Sequence, residues 1–185
     1  MTKGGRFAAV TNYRDPNAPK GIASRGDIVA EFLRSEKVAE EYLETAQRRV
    51  HEFSGYNLLV GEINDRRNEL YYFSNRMGSI ERLPSGLYGL SNKFLDTPWP
   101  KVEKGKAALA QQLQDDPVSR DSLFNILRDE SLADDESLPD TGIGYHREKL
   151  LSAIFIKTPD YGTRCSTLLT VDKNLKLDME ERVFV

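Results

Sequence analysis

A single cysteine among 185 residues excludes an intrachain disulfide and any zinc site built from several thiolates. Cys165 fits a reducing compartment, and the amino-terminal stretch MTKGGRFAAVTNYR has no apolar signal-peptide core, which together set a cytoplasmic expectation. No apolar run approaches the roughly 20 residues that a membrane-spanning helix needs. Neither sign of charge dominates: 26 Lys and Arg stand against 29 Asp and Glu, and the net charge of −3 offers no broad footprint for nucleic acid. Also missing are a Walker loop, a GxGxxG turn, an HExxH helix and a GxSxG elbow, so the common nucleotide, metalloprotease and serine-hydrolase signatures are absent.

What remains is an ordinary globular composition, 39% apolar and 30% charged, long enough for one domain spanning 1–185 with a core of its own. The chain is organised around Pro84 to Pro100, PSGLYGLSNKFLDTPWP, where apolar residues, a small-residue turn, a polar Asn and a Pro-framed Trp crowd together ahead of a helix. Upstream, Arg6 to Asn12 reads as a strand, Arg14 to Gly26 as a loop, and Asp27 as the N-cap of a helix carrying Ile28, Phe32 and Leu33. A second amphipathic run covers Lys37 to Phe53. Tyr56 to Ile63 and Glu69 to Ser74 form an antiparallel hairpin, followed by strands at Ile80 to Leu83 and Leu87 to Ser91.

Downstream, Trp99 to Gln114 is a helix entered through Pro98 and Pro100, and Ser119 caps a helix running to Asp129. Glu130 to Gly144 is an acidic loop. Leu150 to Lys157 and Thr163 to Val171 read as a hairpin around a turn at Thr158 to Gly162, and Lys176 to Val185 alternates as a final strand. About seven strands in hairpins, with helices grouped between them, make the α+β class.

Three polar residues stand at strand ends in apolar surroundings: Asn12, Asn92 and Arg164. An amide can stabilise a developing oxyanion and a guanidinium can fix a carboxylate or orient a nucleophile, although spacing alone favours turn-capping for all three. His51 and His146 each lack a sequence neighbour to orient an imidazole and read as surface or structural residues. Cys165 reads as a half-buried filler, because Arg164 beside it on a strand points to the opposite face.

The motifs TNYR (Thr11 to Arg14), SRG (Ser24 to Gly26), GYNLL (Gly55 to Leu59), GLYGLSN (Gly86 to Asn92), TPWPK (Thr97 to Lys101), LPDTG (Leu138 to Gly142), LSAIFI (Leu151 to Ile156) and YGTR (Tyr161 to Arg164) occur in an order that resembles the NRDE family, bacterial relatives of the transport and Golgi organisation 2 protein. The resemblance implies a four-layer α-β-β-α sandwich like that of N-terminal-nucleophile (Ntn) hydrolases. In that scheme Asn12 and Asn92 take oxyanion-side positions and Arg164 the late supporting position. The family's Met-Cys start and NRDE motif have no counterpart here, so the resemblance also implies an amino-terminally truncated form without the nucleophile; Cys165, with no free α-amine, does not replace it.

Two function classes follow. The first is a cysteine amidohydrolase or acyltransferase in the full-length form, acting on an unknown small molecule. The second, implied by animal relatives, is a binding or trafficking protein for haem or a lipid-related ligand, with His51, His146, Met77, Met179 or Cys165 as candidate haem ligands and no resident cofactor otherwise expected. Loss of strands from a sheet would leave an open edge, which favours pairing in a homodimer.

Overall fold

The computed structural model describes residues 1–115 and 117–184, so Val185, the end of the last expected strand, lies outside the described residues. Two compact units divide the chain, the first formed by Met1–Gly86 with Leu90–Leu95 and the second by Leu87–Gly89 with the chain from Asp96 onward. Among the described residues there are five α-helices and six strands, and every strand pairing is antiparallel. This is the mixed α+β class.

The first unit holds β1 (Arg6–Asn12), α1 (Arg25–Arg34), α2 (Ala39–Gln47), β2 (Tyr56–Asn64), β3 (Arg67–Ser74) and β4 (Ile80–Leu83), with the sheet in the order β1-β2-β3-β4. Period-two alternation gives the sheet one helix-covered face. Leu58 lies opposite Val10 and Phe73, and Val60 opposite Ala8 and Tyr71, in register. These side chains pack with Ile28 and Phe32 of α1 and Tyr42, Leu43 and Ala46 of α2 in one apolar cluster. Arg6 closes the rim of this face: it pairs with Glu62 at 2.6 Å and lies 4.2 Å from the centre of the Phe32 ring.

Helix boundaries depend on which group reaches the free N–H groups at the first turn. In α1 the Ser24 hydroxyl accepts from the Gly26 N–H, so Ser24 and not Asp27 is the cap. The long run expected over Lys37 to Phe53 is interrupted, with α2 ending at Gln47 and a single 3₁₀ turn at Val50–Glu52. The β2–β3 turn is tighter than the sequence suggested, because Asn64 Oδ1 accepts from the N–H groups of Arg66 and Arg67 and pairing reaches Asn64–Arg67.

The second unit contains α3 (Pro100–Gln112), α4 (Arg120–Leu127), α5 (Tyr145–Leu150), β5 (Cys165–Val171) and β6 (Leu177–Val183). Pro100 opens α3 after Trp99, and the Ser119 hydroxyl caps α4 by accepting from the Ser122 N–H, as expected from the sequence. Phe124 of α4 is fully buried, with the Arg182 guanidinium of β6 stacked 3.8 Å from its ring centre. Arg182 also reaches Asp121 at 2.7 Å, and Arg120 reaches Asp178 at 2.8 Å and Glu180 at 3.6 Å, so these ion pairs join α4 to the hairpin.

Two expected strands are not strands. Leu150 closes α5 and Leu151 to Lys157 is irregular, meeting the following segment in an isolated antiparallel bridge between Lys157 and Gly162 and in hydrogen bonds of Ile156 with Thr163, and β5 pairs with β6 instead. Its backbone is satisfied elsewhere: Lys101 Nζ donates to Leu151 O, and the Phe155 N–H to Asp129 O. Leu87 to Ser91 is likewise irregular. The Gly89 N–H donates to the Asp96 carboxylate at 2.8 Å, the Asp96 N–H returns to Gly89 O at 2.8 Å, and a side chain on Gly89 would meet Val102 Cγ1 at 2.6 Å. Close packing on α3, which glycine alone permits, holds that segment outside any sheet. The missed helix, α5, is six residues long, too short for a periodic signal.

Candidate functional site

At the end of β1 the face of the first sheet turned away from the helices carries polar side chains. Thr11 lies opposite Asn57, and Asn57 opposite Ser74. Asn57 is fully buried inside an otherwise apolar run, so all its hydrogen-bonding capacity must be met by protein groups. Its Nδ2 donates to Thr11 Oγ1 at 3.1 Å and to Lys93 O at 2.7 Å, and its Oδ1 accepts from the Tyr72 hydroxyl at 2.9 Å. That hydroxyl in turn accepts from the Leu95 N–H at 3.1 Å. Burial raises the Tyr72 pKa, so the phenol stays a neutral donor.

These bonds lay the stretch Ser91 to Leu95 across the sheet. Thr11 Oγ1 donates to Ser91 O at 2.9 Å, and the Arg14 N–H to Asn92 O at 2.7 Å. Asn92 Nδ2 donates to the backbone carbonyl of Asn12 at 3.1 Å. Asn12 and Asn92, singled out from the sequence as strand-end amides, are thus joined in space. One N–H of Asn92 is committed to this latch, which leaves the second N–H of its amide group as a donor. The Asn12 side chain stands at the exposed end of β1.

Arg164 belongs to the second unit, where it is exposed at the entry to β5 and its carbonyl accepts from the Phe184 N–H at 2.9 Å. Next to it, the Cys165 thiol is pushed up from the ordinary cysteine range, first by a hydrogen bond to Glu181 and then by burial and the Glu181 charge; Arg164 opposes this and loses. Cys165 is therefore a neutral thiol near pH 7 and not an activated nucleophile. Because an anion beside the sulfur favours the protonated form, Glu181→Gln is expected to lower the thiol pKa and speed iodoacetamide labelling of Cys165 at neutral pH. Equal labelling rates in the two proteins would show that Glu181 does not control the thiol.

The candidate haem ligands are dispersed over both units: His51 in the 3₁₀ turn, Met77 after β3, His146 on α5, and Cys165 and Met179 on the hairpin. Among the described residues no group of three or more His, Cys, Asp and Glu is placed to hold a metal ion. No helix among them is long and apolar enough to cross a membrane.

The family model for transport and Golgi organisation 2 matches residues 1–185. The chain belongs to this family. Transport and Golgi organization protein 2 homolog of Bos taurus is 31% identical over 188 aligned residues, which cover 96% of this chain and 68% of the relative. The corresponding proteins of Mus musculus and Homo sapiens are 28% and 29% identical over the same shares. In this member of the transport and Golgi organisation 2 family, Thr11, Asn57, Tyr72 and Lys93 join Asn12 and Asn92 in one hydrogen-bonded network, whereas the sequence offered Asn12, Asn92 and Arg164 as the candidate positions. The signal in the sequence was the amide inside the GYNLL run, since an Asn in a buried strand requires partners.

Proposed function

We propose that this family member binds a small molecule through an acyl or amide group at the strand-end network, with the side chains of Asn12 and Asn92 as donors, as in the oxyanion side of an Ntn-hydrolase-like site. The observation that carries the reading is the latch from Asn92 Nδ2 to Asn12 O. It fixes the orientation of the Asn92 amide at the end of a sheet whose neighbouring Asn57 is buried and bonded, and a donor held in place before a ligand arrives is what stabilises a polarised carbonyl. Support also comes from the antiparallel sheet, which aligns β1 and β2 so that Thr11 and Asn57 brace the latch.

Amide hydrolysis or acyl transfer would need a nucleophile in addition, and the sequence's one cysteine, Cys165, is a neutral thiol. The reading is accordingly one of acyl recognition, with catalysis belonging to a form that supplies an activated cysteine.

The test is binding of uncharged N-acetyl amino-acid amides, followed by NMR. Wild type is expected to bind at millimolar concentration with shifts at Asn12 and Asn92. Asn92→Asp, which removes the donors at constant size, is expected to raise Kd by about tenfold, the equivalent of one lost hydrogen bond. Equal affinity in Asn92→Asp, or no binding by wild type, would overturn the proposal.

A further inference from the structure

Tyr13 follows β1 and Gly55 precedes β2, and the two meet where the strands begin to separate. The Tyr13 N–H donates to Gly55 O at 3.0 Å, and a Cβ on Gly55 would stand 3.1 Å from Tyr13 Cβ. Three cationic side chains from separate parts of the first unit come to this corner. Arg25, the first residue of α1, donates from its guanidinium to Gly55 O at 2.9 Å. Arg76, in the β3–β4 turn, brings Nε within 3.1 Å of the place a Gly55 side chain would take. Lys93 holds its ammonium 4.7 Å from the Tyr13 ring centre and 5.7 Å from that of Phe94, and these two rings themselves lie 5.0 Å apart.

Like charges gathered in one place repel, and this chain has a net charge of −3. The Asp15 carboxylate lies 3.7 Å from the Arg76 guanidinium, beyond hydrogen-bond reach. A forked guanidinium matches the two oxygens of an oxyanion, while the ammonium adds a point charge and the aromatic pair a partly dry floor. The absence of a side chain at Gly55 is what lets Arg76 lie against the backbone here.

We propose that the Tyr13–Gly55 corner is an oxyanion-binding site, built by Arg25, Arg76 and Lys93, for a carboxylate or phosphate carried by the same ligand whose acyl group meets Asn12 and Asn92. The inference rests on the acyl-binding reading for its ligand, since Asn12 and Asn92 each directly precede a residue of the corner. Asp15 occupies the role of an internal competitor for Arg76.

The experiment is an NMR titration of the whole chain with inorganic phosphate, and separately with acetate, at constant ionic strength. The amides of Tyr13 and Gly55 are expected to shift with at least one of the two anions; phosphate alone assigns a phosphate-bearing ligand, acetate alone a carboxylate. Arg76→Gln and Lys93→Gln are each expected to weaken the binding about tenfold, as for loss of one charge-assisted contact, and Asp15→Asn to tighten it. Absence of shifts with both anions overturns the site, as does unchanged affinity in Arg76→Gln and Asp15→Asn. The amide probes of the acyl test carry no charge and the anions carry no amide. Loss of one binding with the other intact therefore tells which proposal has failed.

Discussion

Asn57→Leu is expected to destabilise the first unit by about 3–5 kcal/mol, the cost of stranding several buried polar groups at once. The side chain has no exposure and makes three hydrogen bonds, to Thr11, Lys93 O and Tyr72. Leucine supplies bulk and no partner, so Lys93 O loses its donor and the buried Tyr72 hydroxyl loses its acceptor. Tyr72→Phe is the smaller cut, because it removes one hydroxyl and leaves the Asn57 bonds to Thr11 and Lys93 in place; about 1–2 kcal/mol is expected. Urea denaturation of both single variants and the double variant measures the coupling between them, which for side chains in one network is of order 0.5–3 kcal/mol. A loss below about 1 kcal/mol in Asn57→Leu would show that water enters the network and that the support under Asn92 is not rigid.

Phe124→Ala is expected to cost the second unit about 3–5 kcal/mol, the range for truncating a buried aromatic. The ring has no exposure and lies under the Arg182 guanidinium at 3.8 Å. Removing it deletes the transfer energy of the ring, leaves a cavity under α4, and takes away the cation–π partner of β6. Arg182→Met separates these contributions. It keeps the ring and removes the charge paired with Asp121, a side chain that is 80% exposed, and with Glu180, one that is 35% exposed, so both pairs are screened and about 1 kcal/mol or less is expected from their loss. Thermal denaturation of the two variants should therefore differ widely, and equal effects would mean that the ion pairs and not the ring hold the hairpin to α4.

The strands of the first sheet were legible almost to the residue. β1 at Arg6–Asn12 and β4 at Ile80–Leu83 have the expected bounds, and the helices α3 and α4 begin at the Pro and Ser signals that announced them. Such features are local: strand alternation and helix capping are decided by residues within one turn or one pleat. Leu87 to Ser91 and Leu150 to Lys157 were misread for the complementary reason. A short apolar run has the same composition whether it enters a sheet or packs as a loop, and here Asp96, Lys101 and Asp129 supplied hydrogen-bond partners far enough along the chain to make a sheet unnecessary.

The candidate site divides in the same way. Asn12 and Asn92 were visible as polar residues at the ends of apolar stretches, but the bond between them spans eighty positions of sequence. The contacts of Asn57 with Lys93 and of Arg25 with Gly55 span 36 and 30 positions. By itself the sequence determined the α+β class, the register-ready alternation of the strands and membership in the transport and Golgi organisation 2 family, because each is carried by the order and local spacing of residues. Only the tertiary structure decided that β5 pairs with β6, that Asn92 latches onto Asn12, and that Arg25 and Arg76 reach Gly55 while Lys93 lies over the Tyr13 ring. Periodicity states which face a side chain occupies, whereas the partner across that face is chosen by packing and by the need of every buried polar group for a bond.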